Sequence, residues 1–252
     1  MTMNQLFGSG LISAVAVFGF CQCSRRPTTA EEVIDRNTKA MGGRVALEAV
    51  QAVEFELHIA DPTFAVDGTY FAARPGKMRI NVSADGQHVF TEAFDGQKGW
   101  QWQRKNSAEK PASEKATATL RHGVELPGKL FGLHEMNARG NQVELIGREN
   151  IDGINYYALR LTLRDGYTTN LYVDPKSWLV TRRRDVRPLH VDVDPTPTTI
   201  EQRSSDFRTV GGVRFAFVST ETDLQSGQVL ETTAVRSVKV NPPLIPAIFE
   251  RP

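Results

Sequence analysis

Residues 53–59 read Val53-Glu54-Phe55-Glu56-Leu57-His58-Ile59. Apolar and polar side chains alternate strictly, so an extended chain puts Val53, Phe55, Leu57 and Ile59 on one face and the polar residues on the other. A helix would not sort them this way, because residues two apart do not share a helical face. The stretch therefore predicts a strand with one buried face. The same period recurs near 64–73, 77–84, 87–94 and 98–104. Asp85-Gly86 and Asp95-Gly96 between them are two-residue hairpin signals, because such turns need positive φ. Five strands joined this closely make an antiparallel meander.

Upstream of Val53 the period is helical. Thr28 and Thr29 are good N-caps with Glu31 and Glu32 three residues on, so a helix is expected over Ala30 to Met41. Gly42-Gly43 stops it, and Arg44 to Val50 predicts a further turn or two. Val33, Ile34, Met41 and Val45 make an apolar stripe suited to packing on a sheet. The first 23 residues carry no Lys, Arg, Asp or Glu, and Leu6 to Cys23 has the length of a signal-peptide core with its flank. Residues 1–23 are thus expected to be a signal peptide or N-terminal anchor, and 24–252 a single domain exported to the periplasm. A membrane tether through the N-terminus, or through a lipid on Cys21 or Cys23, stays open. Both of the 2 cysteines lie there, so the body has neither disulfide nor thiolate chemistry.

Residues 105–140 interrupt the alternation. An Ala-, Lys- and Glu-rich stretch broken at Pro111 leads to Leu130-Phe131-Gly132-Leu133, predicting a helical or irregular excursion laid over one sheet face. Alternation resumes at Val143, and Asp152-Gly153 and Asp165-Gly166 turn between strands. Further strands are expected to end at Arg184 and to run near 198–208, 213–222 and 228–240. The tail from Asn241 is too proline-rich for a strand interior. The fold class expected is mainly β with a few helices: about eleven or twelve antiparallel strands in one sheet, which must curl into an unclosed half-barrel with helices covering its concave face.

Charges nearly cancel, 30 Lys plus Arg against 29 Asp plus Glu, which argues against nucleic acid as a partner. There is no Gly-x-Ser-x-Gly, no phosphate-cradling glycine loop and no dinucleotide fingerprint. No enzyme activity, catalytic residue, metal or cofactor is expected. His190-Val191-Asp192-Val193-Asp194 is the one acidic-histidine cluster, with a solvated loop the plainer reading. Arg182-Arg183-Arg184 with Arg187 reads either as a holder of an anionic head group or as two outward arginines flanking an inward one. Trp100 and Trp102 are expected on one strand face beside Phe90 and Phe94, as core or as ligand wall.

Several segments, in order, resemble the LolA-like superfamily of outer-membrane lipoprotein-sorting proteins and periplasmic lipoprotein carriers. They are Ala30 to Gly43 (AEEVIDRNTKAMGG), Arg74-Pro75-Gly76-Lys77-Met78-Arg79, Phe94-Asp95-Gly96 with Trp100, Leu145 to Tyr157 (LIGRENIDGINYY), Asp206 to Phe215 (DFRTVGGVRF), and Asn241-Pro242-Pro243 to Phe249. The resemblance implies a half-barrel whose cavity holds acyl chains, and an arginine, here Arg74, that bonds the backbone of a helical lid and controls closure.

A sheet of this size with alternating strands is expected to have one wholly apolar face, which helices or a ligand must cover. By strand parity the wall residues are Phe55, Leu57, Tyr70, Met78, Ile80, Trp100, Trp102, Leu159 and Leu161. The expected partners are acyl chains of lipoproteins or other lipids, with envelope proteins second, and the chain is expected to act as a monomer. A carrier, an envelope sensor or interaction module that ferries no cargo, and an enzyme using the cavity as a pocket are three readings the residues allow, in that order.

Overall fold

The computed structural model describes residues 26–106, 108–188, 191 and 195–252; the expected signal segment and the cluster at His190, Asp192 and Asp194 lie outside them. The first wing of the sheet is β1 (Ala52–Ala60), β2 (Ala65–Ala73), β3 (Lys77–Ala84), β4 (Gln87–Phe94), β5 (Gly99–Gln103) and β6 (Glu109–Pro111). The second is β7 (Gln142–Ile151), β8 (Ile154–Thr162), β9 (Thr168–Val173), β10 (Val180–Arg187), β11 (Thr198–Val210), β12 (Val213–Asp223) and β13 (Val229–Val240). Each wing is a meander, and the two join where β1 pairs antiparallel with β13, giving the order β6-β5-β4-β3-β2-β1-β13-β12-β11-β10-β9-β8-β7. The result is an open, antiparallel 13-stranded sheet. The strand beyond the expected eleven or twelve is β6, three residues too short to show a period.

The expected two-residue turn at Asp85-Gly86 forms, with φ of 51° and 73°. At Asp95-Gly96 the loop is longer. Asp95 N–H donates to Lys98 C=O at 3.1 Å, and its carboxylate accepts from the Gln97 and Lys98 amides at 2.8 Å each. The side chain mimics a backbone turn, as Asp does in loops.

This topology dictates what covers the concave face. The chain leaves the sheet at one edge, β6, and re-enters at the other, β7, so the connection must cross a face of the sheet. It crosses the inside as α3 (Glu114–Glu125), followed by the segment 126–141 with a 3-10 turn at Leu133–Glu135. Ser113 caps α3 by accepting from the Ala116 amide at 3.0 Å. Ala116, Leu120 and Val124 are its buried stripe, facing β3, β4 and β5. Gly99 makes room for it, since a Cβ there would lie 2.8 Å from Thr117 Oγ1 and 3.2 Å from Leu120 Cδ1.

The other part of the cover is α1 (Ala30–Ala40) with α2 (Arg44–Glu48). The capping box predicted at its start is present, Thr29 and Glu32 serving each other's backbone. Val33 and Ile34 are buried, and the Asn37 amide donates to Trp178 C=O at 2.8 Å. Gly42 ends the helix with φ of 125°, and a Cβ there would stand 2.1 Å from Gly212 O, so only glycine fits.

Two further layers lie on the convex face. The C-terminal 3-10 turn Pro246–Phe249 folds back over β3: Phe249 is buried, Arg79 donates to Ile248 C=O at 2.8 Å, and Trp100 Nε1 donates to Phe249 C=O at 2.9 Å. Across the second wing, Arg182 and Arg184 share Glu201 at 2.7 and 2.6 Å and lie over Tyr156 and Tyr172. Those arginines point outward while Arg183 between them points inward.

Candidate ligand cavity

Between the concave face and its cover lies a cavity of about 470 Å³. Phe55 and Leu57 on β1 bring their neighbours with them through register: Phe55 pairs with Tyr70 on β2, Tyr70 with Ile80 on β3, and Ala72 with Met78. All five predicted residues of these strands line the cavity. Leu120 of α3, Leu126, Phe131 and Leu133 form its roof. Phe215 meets Phe55 edge-on at 5.6 Å between centroids, and so does Tyr70 at 6.0 Å. Leu159 and Leu161 are on the same sheet face but fully buried in the main core, sealed away from the open space.

Trp100 and Trp102 require correction: they stand on the convex face. Trp100 pairs with Ala93 and Trp102 with Thr91, whereas Phe94 pairs with Gly99. Trp100 is buried against the C-terminal turn, and Trp102 stacks on His88 with centroids 4.5 Å apart. The cause is parity. A loop of even length in an antiparallel hairpin pairs even-numbered residues with odd ones, so Phe94 and Trp100 cannot share a face.

The expectation of a wholly apolar inner face is also corrected. Glu92, Lys129, Arg183, Arg187, Glu221 and Glu231 line the same cavity. Arg187 holds Glu221 with both carboxylate oxygens at 2.7 Å, and Glu231 accepts from the Thr233 hydroxyl at 3.0 Å. Beneath them Asp185 accepts from the Tyr167 hydroxyl and lies 3.5 Å from Arg187 Nε. Sequence reasoning passed over Lys129. A lone cation within Leu126 to Leu133 was the available signal.

Two fastenings hold the cover. Arg74, at the end of β2, donates to Val50 C=O at 2.6 Å and Leu130 C=O at 3.2 Å, and pairs with Glu135 at 2.6 and 3.1 Å. Its guanidinium also lies 4.7 Å from the centre of Phe131. One side chain thereby ties the α2–β1 junction to the segment roofing the cavity. On α3, Arg121 and His122 reach Asp165, in the β8–β9 turn of the opposite wing, at 2.5 and 2.7 Å. His122 stacks on Tyr167 with centroids 4.2 Å apart. Burial alone would raise the Asp165 carboxyl, but hydrogen bonds from His122 and the Tyr167 amide, with Arg121 beside them, bring it down to about 2.

The geometry defines a class: proteins built as an open β half-barrel whose concave side, roofed by helices, encloses an apolar cavity with a polar margin. The sequence matches no family model and no curated protein. Solved structures do match. A LolA superfamily protein from Nitrosomonas europaea aligns with a TM-score of 0.58 and 15% identity over 88% of this chain and 98% of that one. A DUF1329 family protein from Desulfovibrio piger gives 0.57 and 16% over 87% and 96%. An outer membrane lipoprotein-sorting protein domain from Vibrio parahaemolyticus gives 0.55 and 9% over 87% and 95%. The fold of this chain is the LolA-like fold.

Proposed function

We propose that this protein binds the acyl chain of a lipoprotein or other lipid in the cavity and works in the periplasm as a carrier. The observation that carries the reading is the roofed cavity lined by Phe55, Leu57, Met78, Ile80 and Phe131. Its volume lies within the range of small-molecule sites, about 300–1,000 Å³. Burying acyl chain yields about 0.8 kcal/mol per CH₂, so a chain of roughly 14 carbons gains on the order of 10 kcal/mol before the costs of association. Binding of that strength needs no catalytic group. The naming of one structural neighbour for outer membrane lipoprotein sorting supports the same reading. Under it, Arg74 governs opening, because its bonds must break before the 126–136 segment can lift.

Native mass spectrometry of the protein purified without detergent, followed by solvent extraction, tests this. Near-stoichiometric acyl lipid is the expected result. A protein that stays free of lipid after incubation with lipoprotein and with phospholipid vesicles would overturn the reading.

A further inference from the structure

The polar margin of the cavity is unbalanced in a specific way. Beneath the margin Asp185 Oδ1 is buried without a hydrogen-bond partner, but the carboxylates that line the cavity are served: Glu221 by Arg187, Glu231 by Thr233, and Glu92 is partnered as well. Three of its donors are not. Lys129 makes no hydrogen bond or ion pair among the described residues, and its ammonium instead lies 4.6 Å from the centre of the Tyr70 ring. Tyr70 is buried, lines the cavity, and has no acceptor for its hydroxyl among the described residues. Arg183 Nε is buried without a hydrogen-bond partner, although the guanidinium has Asp185 Oδ2 3.7 Å and Glu221 Oε1 3.8 Å away. Lys129 is exposed and lines the cavity. Loss of water and then the Arg183 charge lower its pKa, against the smaller pull of Glu221 and Glu231. An anion placed beside Lys129 gives its ammonium a charge-assisted partner and the Tyr70 hydroxyl an acceptor, with the Arg183 charge close by.

We propose that Lys129, Tyr70 and Arg183 form a head-group site that binds the carboxylate or phosphate of a lipid whose chain occupies the apolar part of the cavity. The proposal rests on the lipid-binding reading above and adds the chemical class of the ligand. A carboxylate and a phosphate monoester share the chemistry the site needs, several acceptor oxygens on one negative group. A cationic head would add charge beside Lys129 and Arg183 and is not the class proposed.

Calorimetric titration of the full chain with laurate, dodecyl phosphate, dodecanol and inorganic phosphate, each below its micellar concentration, decides the matter. Laurate or dodecyl phosphate is expected to bind about ten-fold or more tightly than dodecanol, and inorganic phosphate alone not measurably. Lys129→Met should abolish the preference for laurate over dodecanol, and Lys129→Arg should keep most of it. Tyr70→Phe, which retains the ring and the fold, should reduce it by about three-fold. Equal binding of laurate and dodecanol by the unsubstituted protein would overturn the head-group site and spare the lipid reading. Failure of every chain-bearing probe would overturn both. Inorganic phosphate binding as tightly as dodecyl phosphate would overturn the proposal in favour of a free-anion site.

Discussion

Arg74 and Glu135 meet fork to fork, Nη1 lying 2.6 Å from Oε2 and Nη2 3.1 Å from Oε1. The second carboxylate oxygen also accepts from the Gly132 amide at 2.8 Å, so this acid is held by the sheet on one side and by its own loop on the other. Such paired, charge-assisted bonds are directional as well as strong.

Acid should loosen this fastening first. Burial by itself would raise the Glu135 pKa, but the bonds from Arg74 and Gly132 outweigh it and leave the carboxyl below its usual value. A group lowered on folding contributes stability above its unfolded pKa, about 4.3, and that stability is lost as pH falls through the folded value. Local opening of residues 126–136, read as amide hydrogen exchange relative to its intrinsic rate at each pH, should therefore accelerate below about pH 4. In Glu135→Gln it should already be fast at neutral pH and respond little to acid. Indistinguishable profiles for the two proteins would mean that the pair does not hold the roof.

The second fastening predicts a rate. Asp165→Asn removes the charge that Arg121 and His122 share, freeing α3 from the far wing. Release of bound laurate, followed by stopped flow, should quicken about three- to ten-fold with little change in melting temperature, since partly exposed ion pairs add little to overall stability. In the unsubstituted protein, release of bound dodecanol, which has no titrating head, should show the same acceleration as pH falls from the ordinary carboxyl value toward about 2. A release rate unchanged by the substitution would show that α3 is not part of the gate.

Gly42→Ala should cost about 2 kcal/mol or more, because it combines a positive φ with a backbone collision at Gly212 O. Denaturant titration measures it. Gly153→Ala, also at positive φ but with open space where its Cβ would go, should cost less. Equal losses would mean that strain, not the collision, dominates.

The two faces of the sheet give opposite outcomes. Ile80→Trp fills cavity space and should reduce lipid loading strongly, with stability altered by less than about 2 kcal/mol. Trp100→Phe removes the bond to Phe249 C=O and should lower stability by about 1 kcal/mol while loading stays normal. Loading lost on Trp100→Phe and kept on Ile80→Trp would place the ligand elsewhere.

What the sequence made legible was local. The alternation at Val53–Ile59 put Phe55 and Leu57 on the inner face, and the short turns carried that face to Tyr70, Met78 and Ile80. The same reasoning misplaced Trp100 and Trp102 because like residues were grouped without counting the loop between them. Leu159 and Leu161 were given the right face but not their seal, which comes from a distant segment. Lys129 and Arg183, 54 positions apart in the sequence, approach one cavity only because the chain spans from β6 to β7, and no periodicity encodes that crossing. β6 escaped because three residues ending in proline carry no pattern.

The pairing of β1 with β13 has a consequence for synthesis. Both the Gln51 and Ala52 amides donate to the Asn241 side chain, at 2.7 and 3.1 Å, and the Asn241 amide returns a bond to Ala52 C=O at 2.8 Å. The first strand of the sheet thus waits for residues 190 positions further along the chain before its outer edge is satisfied. Until then the nascent polypeptide consists of two meanders with raw edges and an incomplete trough between them. Long-range closure of this kind is slow. The trough, and with it any site for a ligand, is therefore assembled only after β13 has joined β1, whatever order the two meanders form in.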